Sequence, residues 1–596
     1  MRWATFVNRA VESTGAGTAD PGVPERGRQA IGPALQGLIA FIGYLAAFVA
    51  LFGRALVPHL NVPSVGQDKV DPNFYVWAWG WWPHALTHGL NPLHSYLIGA
   101  PAGYNLAWAT TAPAVAILSW PVTAAAGPVA AFNVTLLLAP PASAWAAFVA
   151  ARKLTGKFWP ALLAGPVYGL CSYELSHDVS GQANLTVTLL PPLMVYLVLL
   201  WWDGTLKRAG YVIWMAVALA LEFYTFVEAF AEITIVGVAA LLIGLAVAGA
   251  AVRPTIARLA LHTAAAYAGA IVLASPYLFY AVRNYPRVFV RQQPQFSLDL
   301  ASLVIPDKHR LLGMNWLAAA SGHVRETTSY IGIPMLALFV LLAVFTWSSR
   351  LVRMMTALFA VIIALTLGPH LIIDSRPEFP LPWTGIWSLP LLRSAEPVRF
   401  IDLGYLILAL CLAVWLSTVT VSAAARLARW ALAVAALATV FADLPAFGSV
   451  VVPPDPPAQW QKASPQLKIT NDIPAFFAAG TYKKYLKPGE NVVILSRRGN
   501  AGMLFQSYAG FYFRIAGGFI NDSLSRDDAL PPDVGALSQP TRQRIQDFKN
   551  YVREAGVGSL IVEDAWAEKW MYIFTTLGLK STDTGGVTVF QLTPAQ

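Results

Sequence analysis

The sequence predicts a mainly α fold: a polytopic transmembrane helical bundle of about eleven spans, with a small C-terminal α/β domain on the extracytoplasmic side. Three observations predict this class. The 596-residue chain is 56% hydrophobic and 12% charged, about half the charged fraction of an average soluble protein. Apolar segments long enough to cross a bilayer alternate with short basic loops. Past Pro453 the chain becomes polar and contains short apolar runs typical of strands.

Residues 1–30 differ in composition from the apolar segment that follows. They are rich in glycine and proline and carry Arg2, Arg9, Arg26 and Arg28. We expect a disordered cytoplasmic tail without a signal peptide.

Short basic loops determine the predicted topology of residues 31–450, because Lys and Arg near the ends of spans stay on the cytoplasmic side. The apolar segments between these loops must then cross the membrane in pairs. The basic loops lie at 152–157, 207–208, 253–258, 350–353 and 426–429. The predicted spans are 31–52, 128–150, 158–175, 185–202, 211–228, 230–250, 259–282, 329–347, 354–371, 399–418 and 430–447.

The apolar segment 110–126 is the exception to this pairing. If it crossed the membrane, the basic loop at 152–157 would lie outside. Pro113, Pro121 and Gly127 interrupt or bound it, so we expect a re-entrant or juxtamembrane element. The N-terminus is then cytoplasmic and the C-terminus extracytoplasmic. The long outer loops are 53–127, 283–328 and 373–398.

A proline-rich linker at 452–457 separates the membrane part from residues 451–596, for which we expect a soluble α/β domain. Strands are predicted at 491–495, 558–562 and 587–592, and helices at 541–555 and 569–577. No Walker-type loop, nucleophile elbow or dinucleotide fingerprint occurs in this region.

The stretch 67–82 follows the first span and combines two carboxylates, Asp68 and Asp71, with six aromatic residues. Aromatic rings collect at the membrane–water boundary. The stretch therefore predicts an acidic pair above an aromatic belt at the membrane surface. The alternative is an ordinary interfacial anchor with two solvated acids.

Further ionisable residues fall at the outer ends of the predicted spans, where a charge is costly unless it is paired or faces a cavity. Carboxylates can accept a proton from an attacking hydroxyl, and arginines can bind a phosphate in bidentate fashion. Together they suit a substrate with a lipid tail and a phosphorylated head. The residues are Asp68, Asp71, His177, Asp178, Glu222, Glu228, Glu232, Arg283, Arg287, Arg291, Asp299, Lys308, His309, Arg310, His323, Arg325, Glu326, Arg393, Glu396 and Arg399.

Structural explanations of the same residues stay open. Arg283, Arg287 and Arg291 are spaced to form one helix face, which could touch anionic lipid. The glutamates at 222 and 228 could cap helices or form ion pairs, and His177 could be an ordinary turn histidine.

The membrane part resembles the GT-C superfamily of integral-membrane glycosyltransferases. Members place a long outer loop after the first helix, with a catalytic acid in an Asp-Glu-x-x-Tyr setting. The matching residues here are Asp71-Pro72-Asn73-Phe74-Tyr75, and Asp178 matches a second acidic position. Segments 91–92 and 101–106 resemble bacterial members. Pro72 stands where many members have a second acid.

The resemblance implies a glycosyltransferase in a bacterial cytoplasmic membrane that uses a polyprenyl-phosphate-linked sugar and a glycan, lipid or protein acceptor. Asp71 would be the catalytic base and Asp178 a supporting residue. Pro72 leaves the need for a divalent metal open. Candidate substrate- or phosphate-binding residues are Asp68, His177, Glu228, Arg283, Arg287, Arg291, Glu326, Arg393 and Arg399.

A transporter or flippase of a lipid-linked glycan is the competing function, and a non-catalytic scaffold is a third. A transporter should show internal repeats or paired broken helices. The sequence has no such repeat, and its polar residues cluster on one side, which favours the enzyme. The net charge of +9 lies largely in topology-setting loops, so it does not indicate nucleic-acid binding.

Overall fold

The computed structural model describes most of the membrane part and the central elements of the C-terminal region. The described residues are 32–53, 56–62, 64–65, 70–283, 297–305, 329–373, 376–386, 395–418, 422–442, 450–451, 468–470, 473–496, 501–518, 542–563, 574 and 578–592. Residues 1–30, for which a disordered tail was predicted, lie outside this part.

The described residues between 32 and 442 are mainly helical. The helices are α1 Pro33–Phe48, α2 Val70–Thr87, α3 Pro113–Leu118, α4 Trp120–Thr155, α5 Phe158–Gly169, α6 Ser172–Ser180, α7 Ala183–Thr186, α8 Leu190–Trp202, α9 Arg208–Thr225, α10 Val227–Val247, α11 Arg253–Arg283, α12 Ile333–Phe345, α13 Arg350–Thr366, α14 Trp383–Ile386, α15 Ile401–Ser417 and α16 Ala423–Ala442. Each predicted span overlaps one of these helices.

Six described helical segments are long and apolar enough to cross a membrane: Pro33–Leu51, Trp120–Thr155, Ala183–Trp202, Val227–Val247, Arg253–Arg283 and Pro397–Ser417. Such segments indicate a multi-pass membrane protein. At the other predicted spans the helices are shorter or less apolar, so the count of eleven stays a prediction.

Gly127 divides the long helix α4. Its backbone is left-handed (φ 86°, ψ 168°), a conformation that glycine adopts without a Cβ clash. The kink lies at the predicted end of the segment 110–126, which forms α3 and the first two turns of α4. Residues 128–155 then continue for roughly 42 Å, enough to cross a bilayer alone.

Helix α15 lies in the centre of the bundle, and nearly all of its residues are buried. Around it, small residues allow close helix contacts. A Cβ atom at Gly169 would lie only 2.2 Å from the backbone nitrogen of Ala144. Helices α4 and α5 therefore meet backbone to backbone, as membrane helices do where small residues replace bulky ones.

The C-terminal region forms a five-stranded mixed sheet. Its strands are, in spatial order, β11 Ser581–Thr584, β12 Val587–Gln591, β10 Val557–Glu563, β8 Asn491–Leu495 and β9 Arg514–Ile515. The neighbours β10, β8 and β9 run parallel, whereas β12 is antiparallel to both β10 and β11. Helices α17 Ala475–Ala478, α18 Ala501–Tyr508 and α19 Arg542–Glu554 accompany it.

The secondary structure of this region agrees with the prediction at three strands and one helix. Each predicted strand overlaps β8, β10 or β12, and the predicted helix 541–555 overlaps α19. The linker 452–457 and nearly all of the predicted helix 569–577 lie outside the described residues.

The C-terminal region packs directly on the first outer loop. The backbone N–H of Gly99 donates to the carbonyl of Gly517 at 2.8 Å, and Ile98 forms a parallel bridge with Ile515. Strand β1 Ser64–Val65 pairs with β7 Lys468–Thr470, which also pairs with β6 Val450–Val451. Two parts of the chain far apart in sequence thus form one interface. The remaining strands, β2 His94–Ser95 with β3 Tyr104–Asn105 and β4 His370–Ile373 with β5 Arg376–Pro380, form small hairpins.

The prediction that the aromatic residues of α2 form a belt at the membrane surface is wrong. The rings of Trp77, Trp79 and Trp81 are buried within the protein. Trp79 donates its indole N–H to Thr135 Oγ1 of α4 at 3.2 Å. On the other side, Trp77 donates to Gln506 Oε1 of α18 at 2.7 Å. The sequence pattern of a belt is the same as that of a helix held between two protein layers, and only the partners distinguish them.

Candidate active site

The first turn of α2 positions Asp71 and Tyr75 on one helix face, because residues four apart lie above one another. Asp71 is half-buried and lies where the partial positive charge of a helix N-terminus favours a carboxylate. Its Oδ2 accepts a hydrogen bond from Gln182 Nε2 at 2.8 Å. The hydroxyl of Tyr75 donates to Asn184 Oδ1. The segment 181–184 thus holds α2 at two points.

The C-terminus of helix α6 folds Gln182 back over the last turn of that helix. Gly181 adopts a left-handed conformation (φ 73°), and its N–H donates to the carbonyl of Asp178 at 3.0 Å. The N–H of Gln182 donates to the carbonyl of His177 at 3.0 Å. This pair of bonds is the Schellman motif, in which glycine is preferred at the left-handed position.

His177 contacts Gln182 a second time through its side chain. Nδ1 of His177 lies 2.6 Å from Gln182 Oε1, and its ring packs edge-on against Tyr173 at 4.5 Å between centroids. Burial, together with the positive charge of Arg399, lowers the pKa of His177 to about 3, against the effect of the Gln182 hydrogen bond. His177 is therefore neutral near pH 7.

Arg399 lies in a buried ion cluster close to this group. It pairs with Glu228 and, at 2.8 Å, with Glu396 Oε2, and its guanidinium lies 5.1 Å from the centre of the Phe226 ring. The extended backbone of Phe226 separates α9 from α10 and places Glu228 in the first turn of α10. The predicted residues Glu228 and Arg399 therefore occur together.

The charges of Asp71 and Arg399 both act on the hydroxyl of Tyr75. Burial raises the pKa of Tyr75 well above its ordinary value, Asp71 raises it further, and Arg399 lowers it. The charge of Arg399 reaches His177 as well. Asp71, His177 and Arg399 therefore belong to one electrostatic environment, although they come from three separate regions of the sequence.

Asp178 differs from Asp71 in its surroundings. It is buried, and its Oδ1 has no hydrogen-bond partner within the described ranges. Burial raises the pKa of Asp178 well above its ordinary range. A carboxyl in such a place favours its neutral form. Asp178 therefore lies in the same helix as His177 but does not make the hydrogen bond to Gln182 that Asp71 makes.

Of the remaining predicted site residues, the structure describes Arg283, which does not contact this group. Arg283, the last residue of α11, is exposed, and its guanidinium lies 5.8 Å from the centre of the Phe279 ring on the same helix. Asp68, Arg287, Arg291, Glu326 and Arg393 lie outside the described residues.

A small polar cavity of about 10 Å³ adjoins the group. Glu222, Glu232 and Asp402 line it, and each has one buried carboxyl oxygen without a hydrogen-bond partner among the described residues. Asn184, the partner of Tyr75, lines it as well. The volume is of the order needed for one water molecule.

A larger apolar cavity of about 390 Å³ shares part of its lining with the small cavity. Pro191, Ile233 and Leu403 line both. The walls come from α8, α9, α10, α11, α13 and α15 and consist mainly of Leu, Val, Ile and Met side chains. The Tyr75–Asn184 hydrogen bond and the shared lining residues therefore link the first turn of α2 to this apolar cavity.

Some participants were missed by the sequence analysis. Gln182 was not among the predicted site residues, and Asp402 falls within the predicted span 399–418. The glycine at 181 was the available signal, because a glycine after a helical run indicates a left-handed C-terminus. Among the described residues, no group of three or more His, Cys, Asp or Glu side chains could hold a metal ion.

Solved structures with a similar fold are transferases. Arabinofuranosyltransferase AftD from Mycobacteria matches 95% of this chain with 14% identity and a TM-score of 0.52. The match covers 40% of the length of that protein. The oligosaccharyltransferase of Archaeoglobus fulgidus, in its apo form, matches 91% of this chain and 71% of its own, with 11% identity and a TM-score of 0.51.

ArnT from Cupriavidus metallidurans, bound to undecaprenyl phosphate, matches 92% of this chain and 98% of its own, with 13% identity and a lower TM-score of 0.44. The fold assignment rests on the first two structures. No protein-family model and no curated protein matches the sequence. The fold agrees with the resemblance found in the first outer loop, and this chain has the fold of the GT-C membrane glycosyltransferases.

Proposed function

We propose that this protein is a membrane glycosyltransferase that moves a sugar from a polyprenyl-phosphate donor to a cell-envelope glycan, lipid or protein acceptor on the outer side of the membrane. The observation that carries the proposal is a series of contacts. Asp71 and Tyr75 share one face of α2, Tyr75 bonds Asn184, and Asn184 lines the small cavity, which shares lining residues with the apolar one. The apolar cavity suits part of a lipid tail, since apolar walls remove alkyl groups from water.

Asp71 is the proposed general base. The acceptor hydroxyl attacks the anomeric carbon of the donor while Asp71 takes the hydroxyl proton. The bond from that carbon to the phosphate oxygen breaks, and its electron pair leaves with the polyprenyl phosphate. An ionised carboxylate with a positioned hydrogen-bond donor is suited to this role. His177 is neutral and contacts Gln182, so it contributes to positioning.

The lipid phosphate is proposed to contact Arg393 or Arg399 together with one of Arg283, Arg287 and Arg291, because the outer loops 283–328 and 373–398 supply several guanidinium groups. Of the first two, Arg399 is the one that the structure describes. Glu228 and Glu396 both bind its guanidinium in this structure. A phosphate at this position therefore has to compete with one of them. Arg283, Arg287, Arg291 and Arg393 are the further phosphate candidates, and Asp68 and Glu326 are further substrate-binding candidates. The presence of a divalent metal is left to experiment.

The first experiment measures sugar transfer by the purified protein in lipid nanodiscs. Polyprenyl-phosphate-linked pentoses and hexoses serve as donors, cell-envelope extract serves as acceptor, and release of polyprenyl phosphate is measured. Asp71→Asn keeps the side-chain shape and removes the basic lone pair. We expect it to lower the rate by ~10²–10⁴ while donor binding persists.

Asp68→Asn and Asp178→Asn are measured beside it. If Asp71→Asn stays within about threefold of wild type while either other variant is inactive, the base has been assigned to the wrong carboxylate. Movement of an intact lipid-linked glycan across proteoliposomes, without release of polyprenyl phosphate, would instead support a flippase.

A further inference from the structure

Two hydrogen bonds connect His177, Gln182 and Asp71 in a chain. Gln182 Nε2 lies 2.8 Å from Asp71 Oδ2, and Gln182 Oε1 lies 2.6 Å from His177 Nδ1. One amide side chain therefore joins the last turn of α6 to the first turn of α2. The contact between Gln182 and Asp71 spans 111 residues of sequence.

The chemistry of the three groups allows one orientation of this chain. An ionised carboxylate only accepts hydrogen bonds, so the amide NH₂ of Gln182 faces Asp71. The amide oxygen then faces His177, whose Nδ1 must carry the proton. His177 thereby fixes which end of the Gln182 amide meets the carboxylate.

The backbone gives Gln182 little freedom to leave this place. Gly181 holds the left-handed turn, and the N–H of Gln182 is bonded to the carbonyl of His177. Two residues further on, Asn184 accepts the hydroxyl of Tyr75. The same short segment thus contacts α2 at Asp71 and at Tyr75.

We propose that Gln182 is the positioning residue of this site: its amide holds the Asp71 carboxylate in one orientation, and His177 holds the amide. The inference rests on the proposed function, because it assigns Gln182 a part in the same reaction. A donated hydrogen bond stabilises the ionised form of a carboxylate, so Gln182 also keeps Asp71 ionised at lower pH.

Two substitutions of Gln182 test this proposal. Gln182→Leu removes the donor while keeping similar bulk. Gln182→Glu keeps an acceptor for His177 Nδ1 but places a second negative charge beside Asp71. Both changes disfavour the ionised form of Asp71, so the pH at which it loses its proton should rise, and more so in Gln182→Glu. Among the described residues, Tyr75 lies one helical turn from Asp71, His177 bonds the Gln182 amide, and Arg399 contributes a positive charge at both Tyr75 and His177.

The direct measurement is an infrared pH titration of the whole protein in nanodiscs, with the Asp71 carboxyl band identified by its loss in Asp71→Asn. The midpoint should move to higher pH in both Gln182 variants. With the donor that wild type turns over, the acidic limb of the kcat/KM profile should move in the same direction. At a pH on the acidic limb, the turnover of each Gln182 variant should be about tenfold lower than that of wild type. A purely structural defect would instead lower the plateau of the profile and leave the pH of the limb unchanged.

Gln546→Leu is the matched control, since Gln546 lies on the exposed face of α19 and bonds only locally to Asn550. An unchanged Asp71 midpoint in both Gln182 variants would overturn the inference. This failure is distinguishable from failure of the proposed function, in which Asp71→Asn itself retains transfer.

Discussion

At Arg399, one guanidinium and two carboxylates share a buried position. The side chains of Arg399, Glu228 and Glu396 are 11%, 16% and 8% exposed. A buried charge that loses its partner is costly, so each member of the cluster depends on the others. The planar fork of arginine suits this arrangement because it can bond two carboxylates in one plane.

We expect Arg399→Lys to impair both donor binding and transfer about tenfold, because a single ammonium cannot replace the planar fork. Donor binding in nanodiscs and polyprenyl-phosphate release measure the two effects. Arg429→Lys is a matched control: Arg429 packs 4.9 Å from the centre of the Trp415 ring and donates to the carbonyl of Thr418 at 3.1 Å.

Wild-type binding and transfer in Arg399→Lys would remove Arg399 from the list of phosphate ligands. Full activity in the Lys variants of Arg283, Arg287, Arg291, Arg393 and Arg399 alike would reject the whole set.

At the scale of single elements, α2 connects the site with the C-terminal region. Asp71 lies in its first turn, and the buried Trp77 follows less than two turns later. Gln506 of α18 accepts from Trp77 Nε1 at 2.7 Å and donates to the carbonyls of Leu97 and Phe513 at 2.7 and 2.8 Å. One fully buried amide therefore satisfies three polar groups.

We expect Gln506→Leu to destabilise this interface by about 3 kcal/mol, because each buried polar group left without a partner costs roughly 1–3 kcal/mol. Thermal unfolding, with hydrogen exchange of residues 70–87, measures the loss. Gln591→Leu is the control, since Gln591 is exposed and donates one hydrogen bond to Tyr485 at 3.1 Å. Equal unfolding temperatures of the two variants would contradict the importance of this contact.

At the scale of the whole molecule, the C-terminal sheet and the first outer loop have to lie on the same side of the membrane. Their backbones are hydrogen-bonded between Gly99 and Gly517 and between Ala100 and Ile515. The side itself follows from the basic loops, which predict that both are extracytoplasmic.

Alkaline phosphatase fused to the C-terminus should therefore be active, and the same enzyme fused after Gly204, between α8 and α9, should be inactive. The phosphatase folds only where disulfides form, outside the cytoplasm. An inactive C-terminal phosphatase, with a fluorescent cytoplasmic reporter at the same place, would reject the predicted topology.

The sequence determined the features that depend on local patterns. Hydropathy located a helix at every predicted span, and short apolar runs located β8, β10 and β12, because periodicity and turn residues act over a few neighbours. The position of Asp71 before an aromatic run, together with its resemblance to GT-C members, selected it as a candidate.

Only the tertiary structure decided which groups meet. Gln182 reaches Asp71 across 111 residues, Arg399 reaches Glu228 across 171, and Trp77 reaches Gln506 across 429. None of these contacts leaves a periodic signal, since each requires the packing of several helices to bring single side chains together. The same packing turned a predicted membrane-surface belt into a buried helix, because burial is set by the elements that cover a residue and not by the residue itself.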